Sequence, residues 1–243
     1  MAAPEFIYEL AEALPLKGEL VLEIGAGDGR VTRELASKAR KVVAVEIDSD
    51  LIPILEKGLR KFRNVEIVRG DALALDYSPY KFIVGSLPYH VASPILFRIV
   101  SSGFRQAALV LQAEFAKRLV AKPNSSDYSR LTVMVQAACD CEIIGFIPKE
   151  CFDPIPKVDS VIVKLTAKPP GGRLALSGTL VTALFSHKNQ SVKKSLLHST
   201  AQLGMDKAQI LPFIRAIGRL ASRRVRTLSL EEFTILSKKF SEN

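Results

Sequence analysis

At 243 residues the chain is long enough for one large α/β domain, or for a domain with a small appendage. No apolar run approaches the roughly 18 residues of a membrane span. The opening Met1-Ala2-Ala3-Pro4-Glu5-Phe6 lacks the basic-then-apolar layout of a signal peptide, so the chain reads as cytoplasmic with no membrane partner. Net charge is +9 and unevenly spread: residues 173–243 hold 12 Lys and Arg against 4 Asp and Glu, residues 1–172 hold 22 against 21. A basic appendage on a near-neutral domain points to a polyanion as partner; a surface that only aids solubility is the competing reading. Three cysteines, an odd count, argue against a disulfide framework. Cys139 and Cys141 lie too close in sequence for a usual zinc pair, and Cys151 stands apart.

In chain order, residues 5–16 have near-helical apolar spacing. Leu20 to Ile24 is an apolar run that reads as a buried strand. It is followed by Gly25, Gly27 and Gly29 at alternate positions and then by a helical pattern from Arg30. Strand, glycine turn, helix is the geometry of a nucleotide-cofactor site in an open α/β sheet. A second strand spans Lys41 to Glu46, and a helix capped by Ser49 runs to about residue 62. Strands follow at Val65 to Val68, Phe82 to Gly85 and Ala107 to Leu111, with a helix opening near Ser93-Pro94. Glu114 to Val120 and Arg130 to Ala138 read as helices. Two late strands, Glu142 to Ile147 and Val161 to Thr166, complete a seven-stranded, mostly parallel sheet with helices on both faces. Pro169-Pro170-Gly171-Gly172 reads as a linker. Beyond it lie only helical patterns, at 180–185, 192–203, 210–217 and 230–240. The expected division is a domain over 1–168 and a small basic helical domain over 173–243.

Glu46, Asp71 and Ser86 each sit just past the C-terminal end of a strand, the edge where open α/β sheets bind ligands. Glu46 follows the glycines by about 20 residues, where a carboxylate accepts ribose hydroxyls. Asp71-Ala72 is placed to accept an adenine amino hydrogen, and Glu23 lies on the strand that leads into the glycines. Each acid alone reads as an ordinary strand-end residue; their joint placement is the signal. In Ser86-Leu87-Pro88-Tyr89, Pro88 holds Leu87 extended so that its C=O can face a pocket, and Tyr89 offers a ring face to a base. Phe152-Asp-Pro-Ile-Pro-Lys-Val-Asp-Ser160 adds a proline-stiffened loop that opens on a second aromatic. Taken singly, these stretches read as a loop with a core tyrosine and a proline-rich turn. Three scattered histidines offer no metal-ligand cluster, and no metal is expected.

Together, Glu23-Ile-Gly-Ala-Gly-Asp-Gly, Glu46, Asp71-Ala72, Ser86-Leu-Pro-Tyr89 and Phe152 to Ser160 resemble the small-subunit rRNA adenine N6,N6-dimethyltransferases. So do Gln112-Ala-Glu-Phe-Ala-Lys-Arg-Leu119, Asp127-Tyr-Ser-Arg-Leu131 and Leu184-Phe-Ser-His-Lys188. The resemblance covers nearly the whole chain. It implies a Rossmann-like class I methyltransferase fold that uses S-adenosylmethionine and acts on two adjacent adenosines near the 3′ end of small-subunit rRNA. Small-subunit rRNA or the pre-ribosomal small subunit is the implied partner, with the enzyme expected to be a monomer. Carried over, Glu23, Gly25, Gly27, Glu46, Asp71, Ala72 and Ser86 bind the cofactor. Ser86, Leu87, Pro88, Tyr89 and Phe152 hold the target adenine, with Leu87 C=O accepting an N6 hydrogen and the two rings stacking on the base. Ser86 stands where the family usually has Asn, and the family's N-terminal Gln-x-Phe-Leu-x-Asp segment has no match in these residues. The rival from a different class is a methyltransferase-like factor that binds RNA or DNA with little turnover, as the resemblance to the mitochondrial transcription factor B proteins suggests.

Overall fold

In the computed structural model, which describes residues 4–242, the run before the glycines is strand β1 (Leu20–Ile24). It lies between β2 (Lys41–Glu46) and β4 (Phe82–Ser86), parallel to both. β3 (Val65–Arg69) extends the parallel set beyond β2, and β5 (Gln106–Gln112) extends it beyond β4. β7 (Ser160–Ala167) runs antiparallel to β5, and β6 (Cys139–Ile147) closes the order β3-β2-β1-β4-β5-β7-β6. The order in which strands are added reverses between β1 and β4, so a crevice opens there at the carboxyl ends of the strands. β1 and β2 are buried nearly end to end, as central parallel strands covered on both faces must be.

One apolar cluster packs the sheet against helix α1 (Pro4–Glu12) and helix α2 (Arg30–Lys38). Leu10, Leu14, Val21, Leu35, Val42 and Phe82 are among its members. A smaller cluster, with Ala26, Ala44, Leu55 and Leu59, seats helix α3 (Ile52–Leu59). The expected start of α3 at Ser49 is corrected. Residues 49–51 form a turn in which Asp50 N–H donates to Asp48 Oδ1, and the helix begins after Leu51 with Pro53 in its first turn. Helix α4 (Ala92–Ser101) returns the chain from β4 to β5.

Two compact units emerge: Met1–Ala116 with Asp140–Ala167, and Lys117–Cys139 with Lys168–Asn243. The boundary therefore differs from the expected split at 168–173. Helices α5 (Ala113–Leu119) and α6 (Arg130–Gln136) bound a segment whose apolar side chains serve the helical unit. Tyr128 and Val133 are buried with Leu180, Leu184, Phe213 and Phe233, and Tyr128 Oη donates to Leu228 C=O at 2.8 Å. The remaining helices are α7 (Gly178–Phe185), α8 (Val192–His198), α9 (Thr200–Leu203), α10 (Lys207–Ala216) and α11 (Leu230–Ser241). The single helix expected over 192–203 is broken at Ser199. There Ser195 Oγ and Ser199 Oγ donate to the C=O of Ala183 at the end of α7, and hydroxyls that bond backbone in this way compete with a continuous helix. Among the described residues no strand follows β7, and no helix is long and apolar enough to cross a membrane.

Candidate active site

The three alternate glycines have a common backbone cause. Gly25, Gly27 and Gly29 take φ of +73°, +58° and +80°, the left-handed region that side chains disfavour. Gly25 has a second reason. A Cβ there would lie 2.8 Å from the backbone O of Ser86, so the ends of β1 and β4 approach closely only because position 25 is glycine. Gly25 and Ala26 N–H both donate to Val45 C=O, which ties the loop to β2.

Glu46 closes this loop. Its Oε2 accepts from Gly27 N–H at 2.8 Å, and its Oε1 accepts from Ile47 and Asp48 N–H, both at 2.9 Å. A carboxylate offers about four acceptor sites, so capacity for a ligand hydroxyl remains on Oε2. The residue is 6% exposed. Asp71 is more open: its Oδ1 accepts from Leu73 N–H, which turns the chain after β3 and leaves the other oxygen available.

A cavity of about 230 Å³ lies over these groups. Ile24 and Gly25 line it from β1, and Val45, Glu46 and Ile47 from β2. Gly70, Asp71, Ala72 and Leu73 line it from the turn after β3, and Pro88, His90, Val91 and Ile95 from the segment after β4. Five residues expected from the sequence thus line one cavity: Gly25, Glu46, Asp71, Ala72 and Pro88. Ile47, His90, Val91 and Ile95 join them unforeseen. His90 directly follows the Ser86–Tyr89 stretch, and Ile95 has the apolar spacing of α4. That spacing reads as core and carries no separate sign of a cavity wall.

The other expected residues lie around the cavity. Gly27 is held by Glu46. Leu87 has its side chain buried and its N–H bonded to Val110 C=O, while among the described residues its own C=O accepts no hydrogen bond. Ser86 is exposed at the end of β4. Tyr89 is 38% exposed, and its hydroxyl lies 3.1 Å from Ser160 Oγ at the start of β7. The last residues of the two aromatic motifs are thereby joined. Phe152 is half-buried and packs against the apolar cluster of the sheet, so part of its ring serves as core.

Glu23 faces inward. It is 1% exposed, does not line the cavity, and its Oε2 has no hydrogen-bond partner. Burial pushes its carboxyl up to about 8. The nearby acids Glu46 and Asp28 add to that, and the Thr32 hydroxyl opposes it. Among the described residues, no group of three or more His, Cys, Asp or Glu side chains could hold a metal ion.

The profile of ribosomal RNA adenine dimethylases matches residues 5–233. A probable ribosomal RNA small subunit methyltransferase A from Thermococcus gammatolerans is 42% identical over 214 residues, covering 88% of this chain and 76% of the relative. Its counterpart from Pyrococcus furiosus is 39% identical over 218 residues, covering 89% and 80%. Among solved structures, a dimethyladenosine transferase from Plasmodium falciparum superposes with a TM-score of 0.86 at 26% identity, covering 100% of this chain and 97% of that one. The 23S rRNA methyltransferase ErmE superposes at 0.72 and 28% identity, with 99% of each chain covered. A glycine loop closed by a strand-end carboxylate, beside a Leu-Pro-Tyr turn, agrees with a match that runs through both compact units: the chain belongs to the ribosomal RNA adenine dimethylase family.

Proposed function

We propose that this chain is an S-adenosylmethionine-dependent rRNA methyltransferase. It transfers methyl groups to N6 of two adjacent adenosines near the 3′ end of small-subunit rRNA during ribosome biogenesis in the cytoplasm. The observation that carries this reading is the cavity at the carboxyl ends of β1, β2 and β4. Its wall combines the side-chain-free Gly25, the carboxylates of Glu46 and Asp71, and the apolar Ile47, Leu73 and Ile95. That set fits an adenosine-bearing ligand: Glu46 keeps acceptor capacity for ribose, Asp71 for an adenine amino group, and the apolar side chains for the ring faces. Gly25 leaves the room that the methionine portion needs.

When bound, S-adenosylmethionine supplies a methyl on a positively charged sulfur, a strong electrophile that requires no covalent nucleophile from the protein. The chain's task is then positioning. Leu87 C=O, without a hydrogen-bond partner among the described residues and one residue before the cavity-lining Pro88, accepts an N6 hydrogen and turns the amine toward the methyl group. Ser86 supports the amine with its hydroxyl, a shorter reach than the family's usual amide. Tyr89, partly exposed and tethered at its hydroxyl, presents a ring face to a base lifted out of its stack. Each transfer forms an N–C bond, breaks an S–C bond and releases one proton from N6.

The test is methyl incorporation into small-subunit particles that lack the modification, with nucleoside mass spectrometry of the product. The proposal expects N6,N6-dimethyladenosine at two neighbouring positions. A protein that binds the cofactor and the particles yet leaves adenosine unmodified would instead be a binding factor.

A further inference from the structure

The loop between β6 and β7 presents apolar surface that the fold does not use. Ile155 is 64% exposed, more than any other large apolar side chain among the described residues. Pro154 and Val158 are exposed near it, whereas Phe152 at the loop's start packs on the core cluster of the sheet. One exposed aliphatic side chain means little in itself. Here the position and the stiffness of the loop give it meaning. Ser86 of β4 pairs with Val110 of β5, and Ser160 of β7 pairs with Gln112, two residues further along β5. The loop therefore leaves the sheet at the carboxyl end of β4 and β5, the end at which Pro88 lines the cavity. Asp159 closes its stem: Oδ1 accepts from Lys149 N–H and the backbone C=O accepts from Ala113 N–H, both at 3.0 Å. Phe152 N–H donates to Lys149 C=O at 3.2 Å. Ser160 Oγ lies 3.1 Å from Tyr89 Oη, which ties the loop's end to a ring proposed to face the target base. Pro154 and Pro156 fix φ on either side of Ile155. Residues 149–159 hold Lys149 and Lys157 against Glu150, Asp153 and Asp159, so the loop offers RNA apolar contact and no net positive charge.

We infer that Ile155 is a wedge: when the target adenosine leaves its stack, Ile155 packs on the adjacent adenosine and takes the vacated place. This role rests on the rRNA methyltransferase reading. A base lifted out of its stack leaves its neighbour with a bare face, and the unstacking is costly. Minor-groove proteins that open a base step insert apolar side chains there, isoleucine among them. A loop already held in place gives up little freedom on contact, so more of the contact serves to keep the target base out. The adjacent base is the fitting occupant. Phe152 at one end of the loop and Tyr89, tied to its other end, are the rings proposed to hold the target itself.

Steady-state methylation of small-subunit particles that lack the modification tests this with the full chain. Ile155→Ala should lower kcat by about tenfold, the order expected when an aliphatic side chain loses an apolar contact. KM should stay close to its original value, because the contact forms only once the base is lifted. Ile155→Leu keeps the apolar bulk and should restore most of the rate. Melting temperature and S-adenosylmethionine affinity should not change in either variant, since the side chain is exposed. The second substrate is a particle reconstituted with uridine in place of the adjacent adenosine, which leaves a smaller base for Ile155 to cover. On it the unchanged chain should fall toward the rate of Ile155→Ala, and Ile155→Ala should fall little further, a coupling between side chain and base. An unchanged kcat in Ile155→Ala, or the same fold-loss on both particles, would overturn the wedge. A rise in KM alone, as for a side chain that docks on a ribosomal protein, would overturn it as well. No methyl transfer by the unchanged chain to the first particle would overturn the methyltransferase reading, and the wedge with it.

Discussion

Glu46 holds together two things that a ligand needs at once. Its three N–H contacts fix the left-handed turn at Gly27 and the chain after β2, and the residue also lines the cavity with acceptor capacity to spare. Glu46→Gln keeps the shape but turns an NH2 group toward one of those N–H donors. Hydrogen bonds to a charged group contribute about 1.5–3 kcal/mol, so S-adenosylmethionine affinity should fall by an amount in that range. Amide exchange at Gly27, Ile47 and Asp48 should quicken in the same variant. Unchanged exchange together with unchanged affinity would show that the carboxylate is dispensable.

Tyr89 and Phe152 separate at the same scale. Tyr89 is partly exposed, so Tyr89→Ala should spare the fold and cofactor affinity yet cut methyl transfer, since base–aromatic stacking is worth about 1–3 kcal/mol per base. Tyr89→Phe keeps the ring face and gives up only the contact with Ser160 Oγ, so most activity should remain. Phe152 packs on the core cluster, and Phe152→Ala should lower the melting temperature as well. The expected loss lies below the ~3–5 kcal/mol of a fully buried ring. Melting temperature and turnover measured together on these variants distinguish a ring that serves the base from one that serves the core.

At the scale of elements, glycines of similar appearance in the sequence have opposite meanings. An alanine Cβ at position 25 meets the backbone O of Ser86 at 2.8 Å and must also adopt φ near +73°. That backbone carbonyl cannot give way as a flexible side chain could, and strained positions of this kind cost of order 1–3 kcal/mol each. Gly25→Ala should destabilise the fold by that order in urea titrations. Gly58 is inside α3, and its Cβ position is filled by the end of the Arg33 side chain, a flexible group that can move. Gly58→Ala should be neutral or stabilising by up to about 1 kcal/mol, the usual gain of alanine over glycine within a helix. The sequence pattern makes β1, β2, β4 and the glycine turn plain because apolar runs bounded by glycine or acid have few alternative readings. It says less where side chains bond to the chain itself. The Asp48 side chain delays the start of α3, and Ser195 and Ser199 divide one helical run in two. The site shows the same contrast. Strand-end residues such as Glu46 and Asp71 are located by topology, whereas Ile95 reaches the cavity through the rotation of α4, and Glu23 is buried because β1 is covered on both faces.

For the whole molecule, the charge asymmetry becomes a statement about RNA binding. Most of the excess charge lies in residues 173–243, but the helical unit also needs Lys117–Cys139, whose Tyr128 and Val133 are part of its core. Cutting the chain at residue 172 would strip that core from the remaining segment and confuse folding with binding, so charge should be removed without removing structure. Not every cation is suitable. Arg223 is paired with Glu232 at 2.8 Å, and Lys188 Nζ donates to the C=O of Ser126 and Tyr128; both have structural work. Lys193, Lys194, Arg215 and Arg219 are exposed on the helical unit, and surface substitutions away from such contacts usually stay within about 0.5 kcal/mol in stability. Changing these four to Gln should leave the melting temperature and S-adenosylmethionine affinity unchanged while weakening rRNA binding. The form of the loss matters more than its size. Each phosphate contact given up removes about 0.7–0.9 from the slope of log affinity against log salt, because fewer counterions are released. The quadruple variant should therefore bind with a visibly shallower salt dependence, and the two proteins should converge at high salt. A parallel line displaced to lower affinity would mean that these side chains contact bases or shape the surface. A coincident line would place the electrostatic contact elsewhere on the chain.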